Sequence, residues 1–222
     1  MFKPALKHMD ENSPKSTCID TILDLETLGF AEDSVIRDIG AVAFNRYTGE
    51  VLDTFRVLIN INDAVGIGQV MEPSTVMFWL TQSKESIDSV WNNVDNVAER
   101  CPRDAVNAMN RWLSGLKGRF NTKKLYVWNH KDFDSNKMEN LHKKLGNWPE
   151  WKHYDHRDIW THMDNCELDG RDFPRVGTYH TTVDDCKHYM GVIVAGFNKM
   201  RDNSKVPAKY ELHDYKDEYA EI

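Results

Sequence analysis

"ILDLETLG", residues 22–29, sets two carboxylates among apolar residues and decides how the chain is read. Ile22, Leu23, Leu25 and Leu28 suit a buried strand, yet Asp24 and Glu26 interrupt them. Alternate residues of a strand point to the same face, so both acids project together. Two carboxylates on one covered face repel each other and lose hydration unless something positive joins them. A lone D-x-E is a common surface pattern. The flanking apolar residues imply a mostly covered strand, which shifts the reading toward a hard cation of the Mg²⁺ or Mn²⁺ type.

Working outward, "CIDTILDLE" (18–26), "VIRDIGAVAF" (35–44) and "VLDTFRVLINI" (51–61) read as three strands joined by short turns, an antiparallel meander. The spacing then predicts helices over 72–91 and 102–118, a strand over 123–130, and helices over 133–146 and 181–200. Residues 147–177 read as turn-rich. This order predicts one α/β domain over residues 17–202, between a polar lead (1–16) and an acidic tail (203–222) expected to be solvated or frayed.

Composition narrows the function classes. The net charge of -7 argues against a broad duplex-DNA binder, whose affinity rests on Lys and Arg neutralising phosphates. Acids gathered around cations would still permit a nucleic-acid enzyme. Four cysteines without a C-x-x-C pair argue against a thiolate zinc site. No apolar run is long enough for a membrane helix, and the N-terminus lacks a signal-like stretch, so a cytosolic protein with reduced thiols is expected.

Further acids lie at two helix starts. Asp132 and Asp134 follow a strand in "YVWNHKDFDSNKM", where either can simply cap the helix. In "YHTTVDDCKHYM", His180 precedes a helix whose first turns carry Asp184 and Asp185. Helical periodicity does not choose between that pair, which flanks the stripe of Val183, Cys186, Met190 and Phe197 on opposite sides.

The order D-x-E, then Asp after a strand, then H-x4-D, resembles the DEDDh 3'→5' exonucleases of the ribonuclease-H-like superfamily. Asp24 and Glu26 match their first motif, Asp134 the second, and His180 with Asp185 the third, which favours Asp185 over Asp184. Asp132 remains a competitor of Asp134. "DLETLG", "IGAVAFNRYTGEV", "STVMFWLTQS" and "HRDIWT" look most like the phage exonuclease A (DexA-type) branch and its prophage-encoded relatives, over roughly residues 18 to 200.

The resemblance implies a mixed central sheet flanked by helices, its first three strands antiparallel and the rest parallel. It implies two Mg²⁺ or Mn²⁺ ions on Asp24, Glu26, Asp134 and Asp185, with His180 taking a proton from the attacking water. The implied partner is a nucleic-acid 3' end, with DNA favoured over RNA. Thr27, Leu28 and Gly29 would meet the terminal nucleotide, Leu28 as an apolar wedge. From the residues themselves, Phe78 and Trp79 read either as base-stacking rings or as core, since aromatics on an amphipathic helix more often pack inward, and at least one of them is expected in the core. An exoribonuclease or a non-catalytic binding module on the same fold are the rival readings. Arg111, Lys117, Arg119, Lys123 and Lys124 read equally as a steering patch or a solvated surface, and His130, His153, His156 and His188 carry no constellation that demands catalysis.

Overall fold

The computed structural model describes residues 18–122 and 124–202. The expected lead, the whole of the expected tail and Lys123 lie outside those residues. Among the described residues six strands form one sheet in the order β4-β3-β2-β1-β5-β6. β1 (Cys18–Thr27), β2 (Ile36–Phe44) and β3 (Val51–Ile59) are antiparallel neighbours, as the meander reading requires. β5 (Lys124–Asn129) then joins β1 in parallel, and β6 (His156–Asp158) joins β5 in parallel. The short β4 (Glu99–Arg100) runs parallel to β3 at the other edge.

β1 is covered on both faces, and its apolar residues point to both of them. Ile19, Leu23 and Leu25 join a core completed by Met109, Leu113 and Leu116 of α4 (Pro102–Arg119) and Met138 and Leu141 of α5 (Asn136–Lys144). Ile22 faces the other way, into a cluster with Cys186, Val192 and Ile193 of α7 (Thr182–Asp202) and Met163 of α6 (Ile159–Asn165). Asp24 and Glu26 share the Ile22 side by strand alternation and so lie beneath the start of α7.

Three local expectations are corrected. Residues 72–91 are not one helix: α2 (Pro73–Trp79) stops, and α3 (Lys84–Val90) restarts with Ser83 accepting a hydrogen bond from the Ser86 amide as its N-cap. The Thr-Gln-Ser stretch between them offers side chains that compete with the helix for backbone bonds. The turn-rich reading of 147–177 is also incomplete, because β6 and α6 lie within it, along with α6's Asp158 cap. A three-residue edge strand carries too little periodicity to be read locally. The first helix, α1 (Ile61–Gly66), follows β3 where the sequence reading extended the strand to 61.

Candidate active site

β1 supplies the first acids. Asp24 pairs across the ladder with Gly40 and Glu26 with Asp38, so all four lie on the face covered by α7. A Cβ on Gly40 would fall 2.2 Å from Thr182 Oγ1 and 2.9 Å from the Thr182 carbonyl carbon. The missing side chain lets the first turn of α7 settle directly on the sheet. That approach brings Asp185 to β1: ligand oxygens of Asp24, Glu26 and Asp185 all lie within 4.8 Å of one another.

Other acids on this face have cationic partners. Asp20 is held by Arg46 at 2.5 Å, and Asp38 by Arg56 at 2.7 Å. Asp24 and Glu26 have no such partner among the described residues. Burial pushes both carboxyls well above the usual carboxylate range, and neighbouring acids add to it: Asp134, Glu26 and Asp185 act on Asp24, with Asp185 and Asp38 first among those acting on Glu26. A close, cation-hungry set of oxygens without sulfur or imidazole among them fits a hard divalent ion.

Asp134 reaches the site from a π-helical turn, Lys131–Ser135, between β5 and α5. Such turns often occur at functional sites because they re-aim side chains. Asp134 is buried and accepts a hydrogen bond from the His130 amide at 3.0 Å, whereas Asp132 is exposed. Asp134 stands outside the tight trio, yet its charge acts on Asp24, and burial pushes its own carboxyl up to about 7.

His180 closes the loop before α7 in a left-handed backbone conformation (φ 58°), uncommon for a residue other than glycine. Its half-exposed ring makes edge contacts with Phe78 at 5.2 Å and Trp79 at 6.0 Å. Ser86 of α3 donates to the Tyr179 carbonyl at 2.7 Å and pins the loop one residue earlier. Of the doublet, Asp184 turns back to accept from the Thr178 amide at 2.9 Å, while Asp185 faces Asp24 and Glu26.

The substrate-side expectations need correcting at two residues. Trp79 is buried (3% exposed) and donates its indole N–H to the Thr27 carbonyl at 3.0 Å, so its face is closed to a base. Leu28 is fully buried in the core beneath the turn and offers no wedge. Exposed aromatics on this side include Phe78 (43%), Tyr179 (62%) and Phe30 (73%), and Glu72 accepts from the Phe30 and Ala31 amides at 2.9 Å. Thr27 Oγ1 donates to the Gly29 carbonyl at 2.9 Å, and a Cβ on Gly29 would come 2.5 Å from Ser34 Oγ, so this turn is tightly fixed. Two members of the basic cluster are paired, Lys117 with Glu150 at 3.0 Å and Arg119 with Asp53.

Sequence reasoning missed Arg175. Its Nη1 lies 2.6 Å from Asp185 Oδ1, and its Nη2 donates to the Thr178 carbonyl at 2.5 Å. It therefore ties the His180 loop to the third acid. A lone arginine in "DFPRVG" gives no periodic or spacing signal. Burial raises the Asp185 carboxyl, and Arg175 opposes that shift.

Comparisons with known proteins agree with this architecture. A model of the family described as 3'-5' exoribonuclease Rv2179c-like domain matches residues 20–196. The nuclease domain of 3'hExo, a DEDDh family member solved bound to rAMP, is 14% identical with a TM-score of 0.52, covering 81% of this chain and 92% of that domain. A full-length 3'-exonuclease is 15% identical with a TM-score of 0.53, covering 83% of this chain and 61% of that one. Cell-death related nuclease 4 (CRN-4) is 14% identical with a TM-score of 0.45, over 82% of this chain and 65% of that one. The chain thus spans less than two thirds of these last two proteins. At such identities the two with TM-scores above 0.5 show a shared ribonuclease-H-like fold and nothing further. No curated protein sequence matches.

Proposed function

The chain belongs to the 3'-5' exoribonuclease Rv2179c-like domain family, and from that premise we propose that it is a 3'-5' exonuclease that removes nucleotides singly from the 3' ends of single-stranded nucleic acid, releasing nucleoside 5'-monophosphates. The observation that carries this reading is the trio Asp24, Glu26 and Asp185, whose oxygens crowd within 4.8 Å. Asp24, Glu26, Asp134 and Asp185 would hold two Mg²⁺ or Mn²⁺ ions, which supply positive charge for the attacking and leaving oxygens of a phosphodiester.

The chain's own groups do the rest. His180 sits on a loop fixed by Ser86 and Arg175 and takes the proton of the attacking water as general base. Asp134 anchors the far side of the cluster through the π turn. Phe30 and Phe78 present exposed rings to bases, a contact that tolerates any sequence.

DNA is our favoured substrate, on the likeness of "DLETLG", "STVMFWLTQS" and "HRDIWT" to the phage DexA-type branch. RNA is the second reading, favoured by the description of the matched family. A complete set of Asp24, Glu26, Asp134, His180 and Asp185 weighs against a non-catalytic module. Incubation of 5'-labelled single-stranded DNA and RNA of one sequence with Mg²⁺ or Mn²⁺ tests the proposal. We expect products shortened stepwise from the 3' end, faster on DNA; internal fragments at the earliest times, or no cleavage of either, would overturn it.

A further inference from the structure

Beyond β5 and β6 lies a groove of about 930 Å³ that none of the expected site residues enters. It opens at the carboxyl ends of two parallel strands, where α/β sheets commonly bind ligands. Its walls are aromatic and basic. Trp160, 55% exposed, stacks on His130 with centroids 5.0 Å apart and planes 28° from parallel. Lys131 is exposed, and Arg157 spreads its guanidinium over Tyr126 at 3.9 Å. Neither cation has a carboxylate partner among the described residues.

Acids in the same groove do not cancel this character. Asp158 is consumed as a cap, accepting from the Thr161 amide at 2.7 Å and the Thr161 hydroxyl at 2.6 Å. Asp132 alone stands exposed.

The groove also communicates with the acid cluster. His130 meets Tyr189 of α7 edge-on at 5.0 Å, and Tyr189 lies near enough to Asp24 and Asp185 that burial and those charges together raise its phenol. On the other side Phe133, which lines the groove, touches Phe30 at 6.1 Å. The intervening residue pair makes the same link covalently, since Phe133 and Asp134 are adjacent in one π turn. Phe133 and Trp160 both line the groove, so Phe30 borders it through Phe133.

We propose that this groove is a second nucleotide subsite, in which Trp160 stacks a base of the bound strand and Lys131 and Arg157 take its phosphates. It rests on the exonuclease reading for the strand's identity but not for its binding. The subsite gives longer strands an advantage over mononucleotide substrates, because only a strand can span both places.

Binding of fluorescein-labelled dT12 and rU12 by anisotropy in Ca²⁺, without turnover, tests the groove directly. Trp160→Ala should weaken binding of the preferred 12-mer by about 5- to 150-fold, the range expected for one lost base stack, and Trp160→Phe should restore most of it. Lys131→Ala should lower the slope of log affinity against log salt by about 0.7, one phosphate contact on a single strand. In Mg²⁺, Trp160→Ala should leave hydrolysis of the p-nitrophenyl ester of thymidine 5'-monophosphate unchanged while raising KM for the 12-mer. Unchanged 12-mer binding by Trp160→Ala, or equal losses on the 12-mer and the ester, would overturn the subsite. If the wild-type protein binds the 12-mers but cuts neither, the exonuclease reading fails instead, and the anisotropy still decides the groove.

Discussion

Gly40 and Thr182 touch so closely that residue 40 has no room for a side chain: a Cβ there would stand 2.4 Å from the Thr182 Cβ. Asp24 is the cross-strand partner of Gly40, and Asp185 lies one turn along α7 from Thr182. One glycine thus sets the distance between two acids that are far apart in sequence.

Gly40→Ala should therefore do more than crowd a core. Overpacking of this kind costs about 1–3 kcal/mol, visible as a lower Tm. Nuclease activity should fall further than Tm predicts at temperatures where the variant is folded, because α7 must lift away from β1. Full activity in a folded Gly40→Ala variant would show that the α7 approach does not set the site.

Trp79 and Phe78 adjoin in sequence but differ in burial, at 3% and 43% exposed. Trp79→Ala removes a buried ring and its bond to the Thr27 carbonyl, and should cost about 3–5 kcal/mol in urea unfolding. Phe78→Ala should leave stability within about 0.5 kcal/mol and raise KM for single strands. Equal stability losses would contradict the assignment of one ring to the core and the other to the substrate side.

The meander, the main helices and the grouping of Asp24 with Glu26 were legible because strand and helix periodicities are local signals. Asp134 and Asp185 were legible as a pattern of order and spacing, whereas Arg175 was not, since nothing local marks a cation that closes on an acid ten residues later. Trp79 and Leu28 misled for a related reason. An aromatic or leucine beside a site has the same local pattern whether it faces substrate or core, and only packing separates Leu28 in the core from Phe30 in solvent. β6 was hidden because a three-residue edge strand is specified by its partner, β5, more than by itself.

The acids also give the metal-free protein an unusual pH response. Asp134 has its carboxyl raised to about 7 in the fold, and Asp24 and Glu26 are raised as well, so the folded state binds more protons than the unfolded chain. That contribution to stability is fully present below the unfolded carboxylate range, about pH 4, and is lost as pH rises through about 7. Thermal melts in EDTA should show Tm falling between pH 5 and pH 8. Asp134→Asn should flatten the fall, and an unaltered slope in that variant would contradict this origin.

Divalent ions should reverse the same penalty. Mn²⁺ at about 100 times its Kd should stabilise the protein by about 2.7 kcal/mol through linkage to the folded state. The rise in Tm should be absent in Asp24→Asn. A rise equal to that of the wild type would place ion binding elsewhere.

The central claim is that Asp24, Glu26 and Asp185 form the centre of a 3'-5' exonuclease. Its most direct test is the rate of mononucleotide release from a 5'-labelled single strand by wild type and by Asp24→Asn, with circular dichroism confirming that both are folded. The account predicts stepwise shortening from the 3' end by wild type and loss of about 10²- to 10³-fold in Asp24→Asn, the scale on which preorganised charge contributes to catalysis. Wild-type rates in folded Asp24→Asn would contradict it.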